Sequence, residues 1–156
     1  MGCDIHFVIE QRLKVRGEYK WVGVQMDRNC NFEKASSFLQ QERSPLSNLY
    51  KLGNRNYRFF GKLANVRTDD ADGEDPRGVP DDASDLAVSL VDAWGDDGHN
   101  HSWHTLEEFV RKYLLCSTPD KIVDMVKHRL SGKDPVREFF YIDNWNTFRV
   151  IFWFDN

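Results

Sequence analysis

The chain has 156 residues, 40% hydrophobic and 13% aromatic, with a formal net charge of −4. That composition excludes a disordered chain and predicts one domain, residues 1–156, burying roughly two-thirds of its unfolded surface. The negative balance argues against general duplex DNA binding, which needs a basic surface, and no apolar run approaches the roughly 20 residues of a membrane helix.

Residues 3–13 alternate, with Cys3, Ile5, Phe7 and Ile9 on one face and Asp4, His6, Val8 and Glu10 on the other, the pattern of a half-buried strand. Val15-Arg16-Gly17-Glu18 reads as a turn and Tyr19–Met26 as the returning strand of a hairpin. Residues 27–55 read as polar loops with one short helix near Phe38. Asn56–Val66 predicts a short amphipathic helix through Tyr57, Phe60 and Ala64. Arg67–Asp85 is acidic and turn-rich, a long surface loop of the kind that tends to be functional or mobile.

Asp85–Trp94 fits a strand or a helix, with Leu86, Leu90 and Ala93 favouring the helix. Gly95–Gly98 reads as a turn. Thr105-x-x-Glu108 is a capping box opening a helix with Leu106, Phe109, Val110 and Tyr113. Thr118-Pro119 opens another with Ile122, Met125, Val126 and Leu130. Glu138–Ile142, a turn at Asp143–Asn146 and Thr147–Phe154 read as β, the last strand apolar on both faces and so central. The class is α+β: an antiparallel sheet of about four strands from both termini, with helices from the middle of the chain.

Three of the five histidines fall in Gly98-His99-Asn100-His101-Ser102-Trp103-His104. Imidazole is the commonest protein metal ligand and titrates nearest neutral pH. Asp4 and His6 sit two apart on the first strand, with Cβ atoms roughly 7 Å apart on one face, so both can reach one ion; the alternative is a polar outer face of a hairpin. Asp96 and Asp97 add oxygen ligands beside His99 and His101, and mixed N/O ligation suits zinc, manganese, iron or nickel. The plainer reading of that segment is a helix-capping turn whose histidines bond to backbone carbonyls. His104 precedes a helix, where the neutral imidazole is favoured. Arg55, Arg58 and Arg67 flank the aromatic helix and suit a phosphate or carboxylate. Trp103 is a candidate stacking surface amid the histidines. Cys3, Cys30 and Cys116 form no close pairs and fit a reduced intracellular protein.

Met1-Gly2-Cys3-Asp4-Ile5-His6, Arg58–Arg67, Gly78–Ser84, Gly98–Trp103 and Phe152–Asn156 together resemble a family of small uncharacterised proteins of tailed bacteriophages and prophages. That resemblance implies a protein of the infected bacterial cytoplasm and no particular activity. Asp4-Ile5-His6 and Gly98-His99-Asn100-His101 also resemble the first and last metal motifs of calcineurin-like metallophosphoesterases, whose metals polarise a phosphate and activate water. The middle Gly-Asp-x-x-Asp motif of those enzymes is absent. The resulting expectation is a metal-dependent phosphoesterase on a nucleotide or nucleic acid. Asp4, His6, His99 and His101 would be ligands, Asp97 a ligand or base, His104 a proton donor, and Arg58, Arg67 and Trp103 substrate contacts. The competing expectation is a non-catalytic accessory protein that binds a host protein or sequesters a small nucleotide.

Overall fold

The structure, a computed structural model, describes residues 2–27, 55–68, 73–116 and 145–155. The expected helices near Phe38 and after Pro119, and the expected strand at Glu138–Ile142, lie outside the described residues. The fold is α+β, built on a four-stranded antiparallel sheet of order β2-β1-β4-β3. Its strands are β1 (Ile5–Val15), β2 (Glu18–Met26), β3 (His99–Thr105) and β4 (Phe148–Phe154). Among the described residues three α-helices come from the middle of the chain: α1 (Tyr57–Ala64), α2 (Asp85–Trp94) and α3 (Leu106–Leu115). Among the described residues no helix is long and apolar enough to cross a membrane.

Strand alternation sorts side chains onto two faces, and both are covered. On one face Ile5, Phe7, Ile9, Val150, Phe152 and Phe154 pack with Phe59, Phe60 and Leu63 of α1 and Phe109 and Val110 of α3. On the other, Val8, Ile151 and Trp153 meet Leu86, Ala87 and Leu90 of α2. The face holding His6, Val8 and Glu10 is therefore not the solvated side of a hairpin: His6 is 2% exposed and Glu10 fully buried. The helix alternative at Asp85–Trp94 is the one realised, capped by the Ser84 hydroxyl, which accepts from the Ala87 amide. Gly23 lets α2 close on the sheet, because a Cβ there would lie 2.6 Å from Leu86 Cδ2.

Glu10 sits under α2 because every oxygen is matched. It accepts from the Arg149 Nε at 2.6 Å and from the Ser84 amide, and Arg149 continues to the Asp82 carboxylate at 2.8 Å. The chain before α2 is not a free loop either. The Arg77 amide donates to Ser102 Oγ at 2.9 Å and the Gly78 amide to the His101 carbonyl at 2.9 Å. Residues 73–80 thus form a strap along the outer edge of β3.

The histidine-rich segment is where the sequence reading needs correction. His99–Thr105 is an edge strand, not a turn. Its register against β4 slips between His99 and Ser102, where Asn100 has a φ of 50°, the left-handed region that Asn tolerates better than most residues. The extra residue reverses the alternation. His99 lies toward Phe154, with ring centroids 6.2 Å apart, and His101 toward Trp153 on the opposite face, at 6.4 Å.

Candidate functional site

The first and last strands bring the N-terminal Asp-Ile-His to the end of β4, where Asp155 becomes a hub. Its amide donates to the Asp4 carbonyl at 3.1 Å, and its Oδ1 accepts from the Asp4 amide at 2.7 Å. Its Oδ2 lies 3.1 Å from His6 Nε2. Its carbonyl faces His99 Nε2 at 3.3 Å. The two histidine segments singled out in the sequence therefore meet, through an aspartate outside both.

His6 has a second carboxylate on its other side: Nδ1 lies 3.5 Å from Asp27 Oδ2, an ion-pair distance beyond ordinary hydrogen bonding. Asp27 follows β2 and also accepts from the Phe7 amide at 3.0 Å. Burial alone would push the imidazole pKa down, but Asp27 and Asp155 outweigh it and the net shift is upward. The ring lies under Trp94 of α2, with centroids 4.1 Å apart.

Asp4 turns away from this pair. Both its oxygens are held by Arg55, at 2.6 and 3.0 Å. Arg67 lies over Tyr57 at 5.7 Å, and Tyr57 Oη accepts from the Cys3 amide at 3.4 Å. Burial pushes the Cys3 thiol pKa up. Asn65, Arg67 and Asn100 all adopt positive φ, at 56°, 49° and 50°, and Asn100 Nδ2 ties the group together by donating to the Ala64 carbonyl at 2.8 Å. Backbone held in this sparsely populated region gathers at functional sites more often than elsewhere.

The other candidates lie apart from this hub. His101 stacks on Trp153 at an interplanar angle of 20°; His6 lies on the other side of that indole, 6.0 Å from its centroid. Since β4 separates β1 from β3, two strand spacings of about 10 Å in total part the two rings. His101 Nε2 and Trp153 Nε1 are buried without a hydrogen-bond partner among the described residues. Asp97 is exposed in a short turn, Gly95–Asp97, and Arg58 is exposed on α1. Trp103 faces Arg77, whose Cζ is 5.4 Å from its ring centroid.

His104 belongs to a different network. It is fully buried, with Nδ1 on the Trp103 carbonyl at 2.7 Å and Nε2 on Lys112 Nζ at 2.7 Å. An ammonium can only donate, so Nε2 accepts and the ring is neutral. Burial, then the charges of Lys112 and Arg77, push its pKa down to about 4. The neutral form expected from its place in the sequence is present, but burial rather than the helix start is the chief cause. Glu74 completes the network by pairing with Lys112 and Arg77. Partial burial opposes its ionisation, yet those cations prevail and hold its pKa at about 2.

Among the described residues, no group of three or more His, Cys, Asp or Glu is arranged to hold a metal ion. Asp4, His6, His99 and His101 do not fit one ligand set, because Arg55 takes the first and the Trp153 indole separates the second from the fourth. Asp27 and Asp155, the residues that organise the site, carry no local sequence signal; only the hairpin register, in which Val8 pairs with Met26, would have placed Asp27 beside the first strand. No family model matches the chain, and no curated protein or solved structure matches it.

Proposed function

We propose that the protein is an acid–base phosphoester hydrolase acting on a nucleotide or nucleic acid, with its reacting groups at the end of the sheet. The convergence of His6 and His99 on Asp155 carries this reading. His99 is half-buried and the Asp155 side chain is 20% exposed, so both border solvent. Arg55, whose side chain is 54% exposed, and exposed Arg67 supply the positive charge a phosphate needs. His99 would exchange a proton with the ester, and the backbone carbonyl of Asp155 would orient its ring. His6 is a positioning residue that holds the aspartate from inside. No step runs through a metal, since Asp4, His6, His99 and His101 do not form one ligand set. The resemblance to bacteriophage proteins would place this chemistry in the cytoplasm of an infected bacterium.

The test is turnover of bis(p-nitrophenyl) phosphate and of mononucleotides by the full chain. His99→Ala should lower the rate at least about 100-fold, and Asp155→Ala, which removes the carboxylate contacts to Asp4 and His6 that seat this carbonyl, should also lower it. No turnover by the native protein, or unchanged turnover in both variants, would sink the proposal. One observation favours the non-catalytic alternative: both Asp4 oxygens are held by Arg55, and both His99 nitrogens face oxygens, of Asn100 at 3.1 Å and Asp155 at 3.3 Å. Calorimetric binding of a nucleotide without turnover would establish sequestration instead, and capture of a host protein would establish the accessory role.

A further inference from the structure

At the opposite end of the sheet, between the hairpin and the start of α2, lies a cleft of about 620 Å³. It is separate from the hub: Arg149 on its floor and Asp155 are six residues apart along β4, about 20 Å. We infer that this cleft stacks the bases of a short single-stranded nucleic acid on Tyr19, Trp21 and Trp103, which line it and are each backed by an arginine. The pairs are Arg12–Tyr19, Arg149–Trp21 and Arg77–Trp103, with each guanidinium carbon 5.2, 4.0 and 5.4 Å from the ring centroid.

Register puts the first two pairs on one side of the sheet. Arg12 is opposite Trp21 and Lys14 opposite Tyr19, while Arg149 is opposite Glu10 and Trp103 opposite Ile151. Aromatic rings and guanidinium planes lining a cleft are what unstacked bases bind, because every base offers a flat π surface. Tyr19 is 65% exposed, and Trp21 and Trp103 are half-buried in the cleft lining. The cleft volume falls in the range of small-ligand pockets, which suits one end of a strand and not a duplex or a folded partner.

Charge fixes the orientation. Arg149 is buried and neutralised by Glu10 and Asp82, so it backs one face of Trp21 and the other face is the one offered to a base. Arg12 is exposed and has no carboxylate partner among the described residues, which leaves its N–H groups for a backbone phosphate. Asn146 and Thr105 line the same cleft and offer hydrogen bonds to base edges.

The inference does not depend on hydrolysis. A fluorescein-labelled uridine dodecamer, titrated with the full chain and read by anisotropy, should bind saturably, and a duplex of the same length much more weakly. Tyr19→Ala and Trp21→Ala should each weaken binding about tenfold, and Arg12→Glu should also flatten its salt dependence. Tyr19 and Arg12 are exposed, so those two variants report even where Trp21→Ala does not fold. His99→Ala should leave binding unchanged whether or not it abolishes turnover. Absence of binding at millimolar protein, equal affinity for the duplex, or insensitivity to Tyr19→Ala and Arg12→Glu would each overturn the inference.

Discussion

His6 Nε2 lies 3.1 Å from the Asp155 carboxylate, joining the first strand to the end of the last across 149 positions of sequence. With Asp27 on the other nitrogen, a buried histidine becomes the pin for three strand ends.

Stability should therefore fall with rising pH through this pin. The folded-state pKa of His6 is raised, so its contribution is fully present below the unfolded value of about 6.5. It is lost as pH climbs through the higher folded pKa. Urea midpoints of the native protein should decline over that interval, and those of His6→Gln should show no such His6-dependent decline. Equal slopes for the two proteins would contradict this.

Acidification should act on a different part of the molecule. His104 has a lowered pKa of about 4, so stability falls as pH drops below about 6.5, where the unfolded histidine takes up a proton that the folded one refuses. Glu74, held at about 2, contributes above its unfolded value of about 4.5 and loses that contribution as pH falls toward 2. Both groups anchor the strap at 73–80. Protection of the Arg77 and Gly78 amides, measured by hydrogen exchange and corrected for intrinsic rates, should drop before that of β4. Simultaneous loss would show that the strap is not a separate unit. Glu74→Gln should cost only about 1 kcal/mol, since Glu74 is 36% exposed and solvent screens the pair.

The Glu10–Arg149 pair predicts an asymmetry. Glu10→Ala leaves Arg149 buried beside a vacancy and should destabilise by about 3–5 kcal/mol, whereas Glu10→Leu with Arg149→Met should cost clearly less than the two single changes together. Chemical denaturation of the four proteins closes the cycle, and strict additivity would refute the prediction.

Gly23 and Leu86 should be coupled. Gly23→Ala drives a methyl into Leu86 and should cost about 1–3 kcal/mol. In a Leu86→Ala background the same change should cost much less, because the obstructing side chain is gone. Equal costs in both backgrounds would show that α2 shifts freely over the sheet.

The hairpin, β4 and the helices at 57–64 and 106–115 were legible because their apolar spacing is strong and local, whereas the spacing at 85–94 fitted a strand as well as a helix. The strand at 99–105 was not. His-Asn-His-Ser-Trp-His has no alternating apolar set, it lies at the sheet edge, and Asn100 slips its register. The meeting of the Asp-Ile-His and Gly-His-Asn-His segments was legible as a condition only, because it depends on β1 pairing with β4. Asp27 and Asp155 could not be picked out: each is an ordinary acidic residue at a strand end until its partner arrives from 20 or 149 positions away.

The strap at 73–80 has a consequence for self-association. By giving the Gly78 amide to the His101 carbonyl, the chain spends part of the β3 edge on itself. Among the described residues β2 is the other edge of the sheet, and a strand from a second molecule would find its opening there. Pairing of two such edges uses up both, and the opposite margin of each sheet offers little for a third copy. An unfolding intermediate that keeps the strap would stop at pairs, while one that sheds it first, in acid, would present two open margins and could grow into fibres.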